Sequence, residues 1–364
     1  MEHASAQRQK TTTNKNTIFV FSLLVLGVLI LLSMILSTSL GQVQIPAALT
    51  YKILFFKLTG VALGDISEIT AGSLQYIVWD IRLPRVLTAL LVGAGLAMCG
   101  TMMQAAVKNP LADPYILGVS SGASLGATFA ILIGFGAAGL LSQISVAFGA
   151  FSGAFAASLA VLALAELSGK STSTKLVLSG MVVNALCNAF ANFIIFFAND
   201  SEGIKSVTFW TMGSLAAAKW EKLPVLLIII LAASLFALSQ SRILNTMLMG
   251  DEAAVTLGVN LTVYRRVYMV ISSLITGVVV SYCGMIGFVG LIIPHIVRGF
   301  LGSDHRRLMP VAILTGSLFL IWADLIARII LPKTEIPIGI ITAMAGAPVF
   351  IYMLIKRGYR FGKE

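Results

Sequence analysis

Charge is what this chain has least of. Asp, Glu, Lys and Arg make up 11% of its 364 residues and apolar side chains 58%, whereas a water-soluble domain carries about 25% charged residues. A soluble globular fold is excluded, and no stretch is left for a sizeable soluble catalytic unit. Runs of like charge are also absent, so the net charge of +10 does not form a nucleic-acid surface. Cysteine is down to Cys99, Cys187 and Cys283, each inside an apolar run without CxxC spacing or a nearby His. That pattern argues against a disulfide framework and a metal-ligand cluster and predicts buried free thiols.

What the chain does have is long apolar runs. They cover residues 17–37, 86–106, 116–140, 146–165, 176–198, 223–239, 267–297, 308–323 and 336–355, and roughly 20 apolar residues suffice for one crossing. The run 267–297 is too long for a single span and contains Gly284, Gly287, Gly290 and Pro294, so it divides in two. The expectation is an all-α integral membrane protein of ten transmembrane helices. Arg8, Lys10 and Lys15 precede the first run, which is too long for a cleaved signal peptide and is followed by no A-x-A site. It reads as a first span entering from the cytoplasm.

An even number of spans places both termini on one side, and the greater part of the 25 Lys and Arg residues falls on that side, as the positive-inside rule requires of the cytoplasm. The organisation expected is a cytoplasmic tail 1–16, one transmembrane domain 17–356 and a cytoplasmic tail 357–364. Three connections are longer than a turn: external 38–85, cytoplasmic 240–266, and external 199–222. The last carries Trp210 and Trp220 and predicts a short interfacial helix.

Two apparent nucleotide motifs fail on context. Gly169, Lys170 and Ser171 end like a phosphate loop, but the required first glycine falls at Leu164 and the segment joins two spans. Gly134, Gly136 and Gly139 fit GxGxxG without the strand and helix that fingerprint needs. Gly118, Gly122 and Gly126 share one helix face and predict close helix packing. No span carries Asp, Glu, Lys or Arg at its middle; Asp324 and Arg328 lie near an external end and His295 near a cytoplasmic one. An ion relay is therefore missing. Energy must come from another chain, or the protein is a secondary transporter or passive pore that needs no partner.

Asn184, Asn188 and Asn192 recur every four residues and form one stripe on the fifth span. Amides facing lipid would go unsatisfied, so the stripe either bonds another helix or forms the wall of a polar pathway.

Several motifs carry a resemblance. Ile81-Arg82-Leu83-Pro84-Arg85, Leu91 to Ala97, Gln104, Asn109-Pro110-Leu111-Ala112-Asp113-Pro114 and Leu117 to Ala123 follow in order. Then come Gly287 to Arg298, Asp304-His305-Arg306, Ala323 to Arg328, Glu335 to Gly339 and Gly346 to Phe350. Over residues 75–355 the chain resembles the FecCD-type permeases of iron–siderophore, haem and cobalamin ABC importers. The resemblance implies a type II importer with two ten-span permease chains, identical or homologous, around a central pathway. Its partners would be a cytoplasmic ABC ATPase dimer that binds ATP and Mg, and an extracytoplasmic substrate-binding protein. This chain would then be a transport subunit without a cofactor or catalytic residue, in a bacterial-type plasma membrane. Its cargo would be a ferric siderophore, ahead of haem or cobalamin.

The same resemblance implies residue roles. Arg82, Arg85 and Arg328 match outer-face arginines that meet glutamates of the binding protein; the alternative for Arg328 is an i, i+4 bridge to Asp324. Residues 249–258 resemble a coupling helix that seats in the ATPase, with Gly250, Asp251, Glu252, Ala253, Leu257 and Gly258 as its candidate residues within the loop 241–264. Glycines bound that helix and two acids begin it, which suits a helix N-terminus. Asn184, Asn188 and Asn192 would line the pathway. His295 and the cluster Arg298, Arg306 and Arg307 receive no catalytic role; the arginines suit lipid head groups.

Overall fold

The structure is a computed structural model that describes residues 2–64, 72–115, 118–134, 140–167 and 172–356. The tail 357–364, the rejected phosphate-loop segment 169–171, and Gly136 and Gly139 lie outside these residues.

All regular structure among the described residues is helical. In chain order it consists of α1 (Glu2–Ser39), α2 (Ala47–Thr59), α3 (Gly72–Tyr76), a π-helical turn (Ile77–Arg82), α4 (Leu83–Val107), α5 (Val119–Leu132), α6 (Leu140–Leu167) and α7 (Ser173–Phe197). Then follow α8 (Ser201–Met212), a 3-10 turn (Trp220–Lys222), α9 (Leu223–Ser239), α10 (Ser241–Leu248), α11 (Asp251–Thr256), α12 (Leu261–Cys283), α13 (Val289–Leu301), α14 (His305–Ile329) and α15 (Ile338–Lys356). Seven segments are long and apolar enough to cross a membrane, and α5, α13 and α15 are shorter apolar helices. Among the described residues these make ten apolar helices, roughly consistent with the ten spans expected. The interfacial helix expected between Asn199 and Lys222 is α8, capped by the Asp200 carboxylate, which accepts the N–H groups of Glu202 and Gly203.

Helix ends follow local chemistry. Pro224 stands in the first turn of α9, where a missing N–H costs little. Asn260 and Asp304 cap α12 and α14 with their side chains.

The core forms around α4, which is buried along nearly all of its length between α9, α12, α13 and α14. Lipid is as apolar as leucine, so close packing must hold such helices together. Glycines provide it. Gly93 lies on Gly316 of α14 and Gly100 on Gly290 of α13, and a Cβ at either would overlap the facing carbonyl. Gly122 and Gly126 meet Gly153 and Gly149 between α5 and α6 in the same way, so two of the three glycines read as a packing face act as one. Gly118 instead caps α5 in the left-handed region.

The long run 267–297 divides as expected, though at its glycines. Gly284 at φ 67° ends α12, whereas Pro294 lies inside α13. Proline removes the N–H that would bond the carbonyl four residues back, that of Gly290. Gln104 of α4 compensates: its Nε2 donates to Gly290 O at 3.3 Å and Leu291 O at 3.1 Å, while Arg298 donates to its Oε1 at 3.1 Å.

Candidate functional site

The outer ends of α1, α4 and α14 meet in a buried charge cluster. Asp324, fully buried, accepts Arg85 Nε at 2.8 Å and Arg328 Nε at 3.0 Å. Arg85 Nη1 also reaches Glu335 Oε2 at 2.7 Å, and Glu335 is the member that faces outward. The last carbonyls of a helix lack internal partners, and two guanidinium groups satisfy those of α1. Arg82 donates to Thr38 O and Ser39 O at 2.9 and 2.6 Å and to Val43 O. Arg328 donates to Ser37 O at 3.0 Å and Leu40 O at 3.2 Å. Gln42 performs the same service for α14, bonding Arg328 O and Leu331 O.

Arg82, Arg85 and Arg328, expected at the outer face, are held just inside it. They are only 6%, 6% and 4% exposed, because the carbonyls of α1 and two carboxylates draw them inward. The i, i+4 bridge from Asp324 to Arg328 is present.

At the cytoplasmic end α10 and α11 form the loop expected over 241–264. Gly250 at φ 117° and Gly258 at φ 79° bracket α11, conformations that glycine adopts without strain. Glu252, Met249, Val255 and Leu257 are exposed, the last three at 66%, 63% and 62%, while Ala254 is buried. Asp251 keeps a half-exposed side chain and is also held within the chain. Its carboxylate pairs with Lys108 and accepts from Arg265 Nη2 at 3.0 and 3.1 Å. Partial burial opposes its ionisation, but hydrogen bonds and charge from Lys108 and Arg265 outweigh that and hold its pKa below the ordinary value. A depressed carboxyl contributes its stabilisation above the unfolded pKa of about 4 and loses it only as pH falls through the lower folded value. The clamp therefore persists throughout the neutral range. Asn245 of α10 donates to Asp304 Oδ1 at 2.7 Å and accepts the His305 N–H at 2.8 Å, which ties the loop to the start of α14.

Between these ends, α7 buries Leu176, Gly180, Val183, Cys187 and Ala191. Asn184 is half-buried, and Asn188 and Asn192 are exposed. Asn188 Nδ2 donates to Asn184 Oδ1 at 2.7 Å, a bond within the helix rather than between helices. Exposed amides at membrane depth demand protein or water, so this face is completed by something outside the chain. A cleft of about 460 Å³, lined by Tyr115, Ser120, Thr211, Met212, Met285 and Met344 among others, opens between α5, α8, α15 and the α12–α13 connection.

Sequence reasoning missed Arg265, Lys108 and Gln42 as organising residues, and named Gln104 and Glu335 only within the motifs that carry the resemblance. Among the described residues no three His, Cys, Asp or Glu side chains gather as a metal site, and Cys99, Cys187 and Cys283 are buried and free.

Among the described residues, ten apolar helices, glycine-tight packing, a glycine-bracketed knob at the basic end and an exposed polar flank together describe a helical membrane protein. Residues 29–356 match the FecCD transport family. A cobalamin import system permease protein of Halobacterium salinarum is 42% identical over 286 residues, covering 79% of this chain and 75% of the relative. A hemin transport system permease protein of Yersinia pestis is 37% identical over 336 residues, covering 92% and 96%. A metal-chelate type ABC transporter, solved in an inward-facing conformation, superposes with a TM-score of 0.78 at 31% identity over 92% of this chain and 98% of that one. The chain belongs to the FecCD transport family. It is a multi-pass ABC transporter permease of the plasma membrane, and the ATPase is a separate chain.

Proposed function

We propose that this permease moves a bulky metal chelate, a ferric siderophore or related iron chelate, through a pathway walled by α7. The observation that carries the reading is the stripe of half-buried Asn184 and exposed Asn188 and Asn192, uncharged amides on an otherwise apolar flank that a large cargo can pass without tight binding. A second permease chain would complete that wall, a cytoplasmic ATPase dimer would drive it, and an extracytoplasmic binding protein would deliver the cargo. Cobalamin or haem is the second reading, favoured by what the Halobacterium and Yersinia relatives are named for.

Vesicles containing the permease, its ATPase and its binding protein test both. ATP-dependent uptake of a ferric siderophore is expected. Uptake of only cyanocobalamin or haemin installs the second reading, and flux that ignores ATP removes the assignment altogether. In the same vesicles, cysteines at Asn184, Asn188 and Asn192, in a background without Cys99, Cys187 and Cys283, should react with an impermeant thiol reagent differently when ATP is trapped. Inert cysteines in every nucleotide state would move the pathway elsewhere.

Docking of the binding protein at Arg82, Arg85 and Arg328 would centre on Arg85, where a partner carboxylate replaces outward-facing Glu335, with Arg82 and Arg328 adding positive charge behind it. The ATPase would seat on α11 through Glu252, Val255 and Leu257, with Gly250, Ala253 and Gly258 shaping the knob and Asp251 anchoring it. Ala254→Pro tests that seat. It removes the bond from Ala254 N to Gly250 O at a cost of about 3 kcal/mol, more than so short a helix withstands. Substrate-stimulated ATP hydrolysis should vanish while the permease remains folded; stimulation that survives would assign the coupling role to another loop.

A further inference from the structure

We infer that Arg265 is the positioning residue through which the ATPase-facing knob moves the pathway helix. The inference rests on the permease reading above and adds to it the route by which motion is passed. Arg265 opens no surface to a partner: it is 3% exposed. Its Nε donates to Ala106 O at 3.0 Å, in the last turn of α4. Its Nη2 donates to both Asp251 oxygens at 3.0 and 3.1 Å, at the first residue of α11. The same nitrogen reaches Ser173 Oγ at 3.3 Å, at the first residue of α7. One guanidinium thus joins the knob, the buried central helix and the base of the helix that carries the asparagines.

The arrangement favours transmission over simple bracing. The knob hangs between Gly250 and Gly258, so a push on Val255 or Leu257 tilts it as a unit and displaces Asp251. Lys108 and Arg265 both hold Asp251, so the carboxylate cannot move without drawing them. Lys108 adjoins the buried end of α4, whereas Arg265 has the contact with Ser173, on a helix that exposes one flank. The mobile end of the linkage is therefore α7. At about 1.5 Å rise per residue, Asn184 to Asn192 lie about 16–28 Å along that helix from Ser173, and a tilt at its base swings them laterally.

Lysine keeps the charge facing Asp251 but lacks the fork that reaches three segments at once. The test uses the full complex in vesicles, with ATP hydrolysis and uptake measured together. In Arg265→Lys the complex should assemble and hydrolyse ATP, while substrate moved per ATP falls about tenfold, equivalent to ~1.4 kcal/mol. A cysteine at Asn188 should lose its nucleotide-dependent reactivity. Ser173→Ala removes only the link to α7 and should lower the ratio about two- to threefold, the low end for a single hydrogen bond and in keeping with its 3.3 Å length. A wild-type ratio in Arg265→Lys overturns the inference. If that variant fails to assemble, Ser173→Ala decides alone, and a wild-type ratio there overturns it. Failure of the permease reading itself is distinguishable, because the wild-type complex would then show no ATP-dependent uptake.

Discussion

Replacing Asp324 with leucine should unfold the outer end of the bundle. The carboxylate is buried between Arg85 and Arg328 and is shared by both. Without it, Arg85 keeps only outward-facing Glu335, and Arg328 keeps only carbonyls and the Ser37 hydroxyl. Removing one partner from a buried ion pair costs about 3–5 kcal/mol because the remaining charge stays desolvated, and here two cations are left. Against a typical total of about 5–15 kcal/mol, that loss should lower the melting temperature of the purified permease sharply or prevent its recovery. Asp324→Asn, which keeps an acceptor and loses the charge, should fall between. A leucine variant that melts like the wild type would mean that the cluster contributes nothing to the fold.

An equally large loss is expected for Gly100→Leu. The backbones of α4 and α13 touch at Gly100 and Gly290, and any side chain at Gly100 drives into the Gly290 peptide. Overpacking typically costs about 1–3 kcal/mol when side chains can adjust, but here the obstacle is backbone. The contact is also next to the Pro294 defect that Gln104 repairs, so separating the helices breaks those bonds as well. Gly299→Ala is the control: nothing lies within 4 Å of its would-be Cβ, and alanine favours a helix by up to about 1 kcal/mol. Folded yield should collapse in Gly100→Leu and hold in Gly299→Ala. Equal yields would show that close approach at Gly100 is not required.

The spans were legible because each is a local property of about 20 consecutive residues, and basic residues at their ends encode orientation in the same local way. The packing role of Gly122 and Gly126 and the stripe of Asn184, Asn188 and Asn192 were legible for the same reason, since both are repeats along one helix. What escaped was pairing across distance. Arg85 finds Asp324 across 239 residues and Arg265 finds Ala106 across 159, and neither partner leaves a mark near the arginine. So the sequence showed charges at helix ends and suggested surface, whereas the fold turned those ends toward one another. Asp251 was read incompletely for the same reason: an acid in a first helical turn is explained locally by the dipole, which conceals its partners Lys108 and Arg265.

The capping of α1 also has a history in time. Ser37 precedes the Arg328 that binds its carbonyl by 291 residues. At about 5–20 residues per second, the ribosome makes that guanidinium about 15–60 s after Ser37. α1 also packs chiefly on α14, which is made just as late. Of the helices described, α1 is made first yet is among the last to find its place, and it waits at the margin of a growing bundle until the segment that holds it has been synthesised.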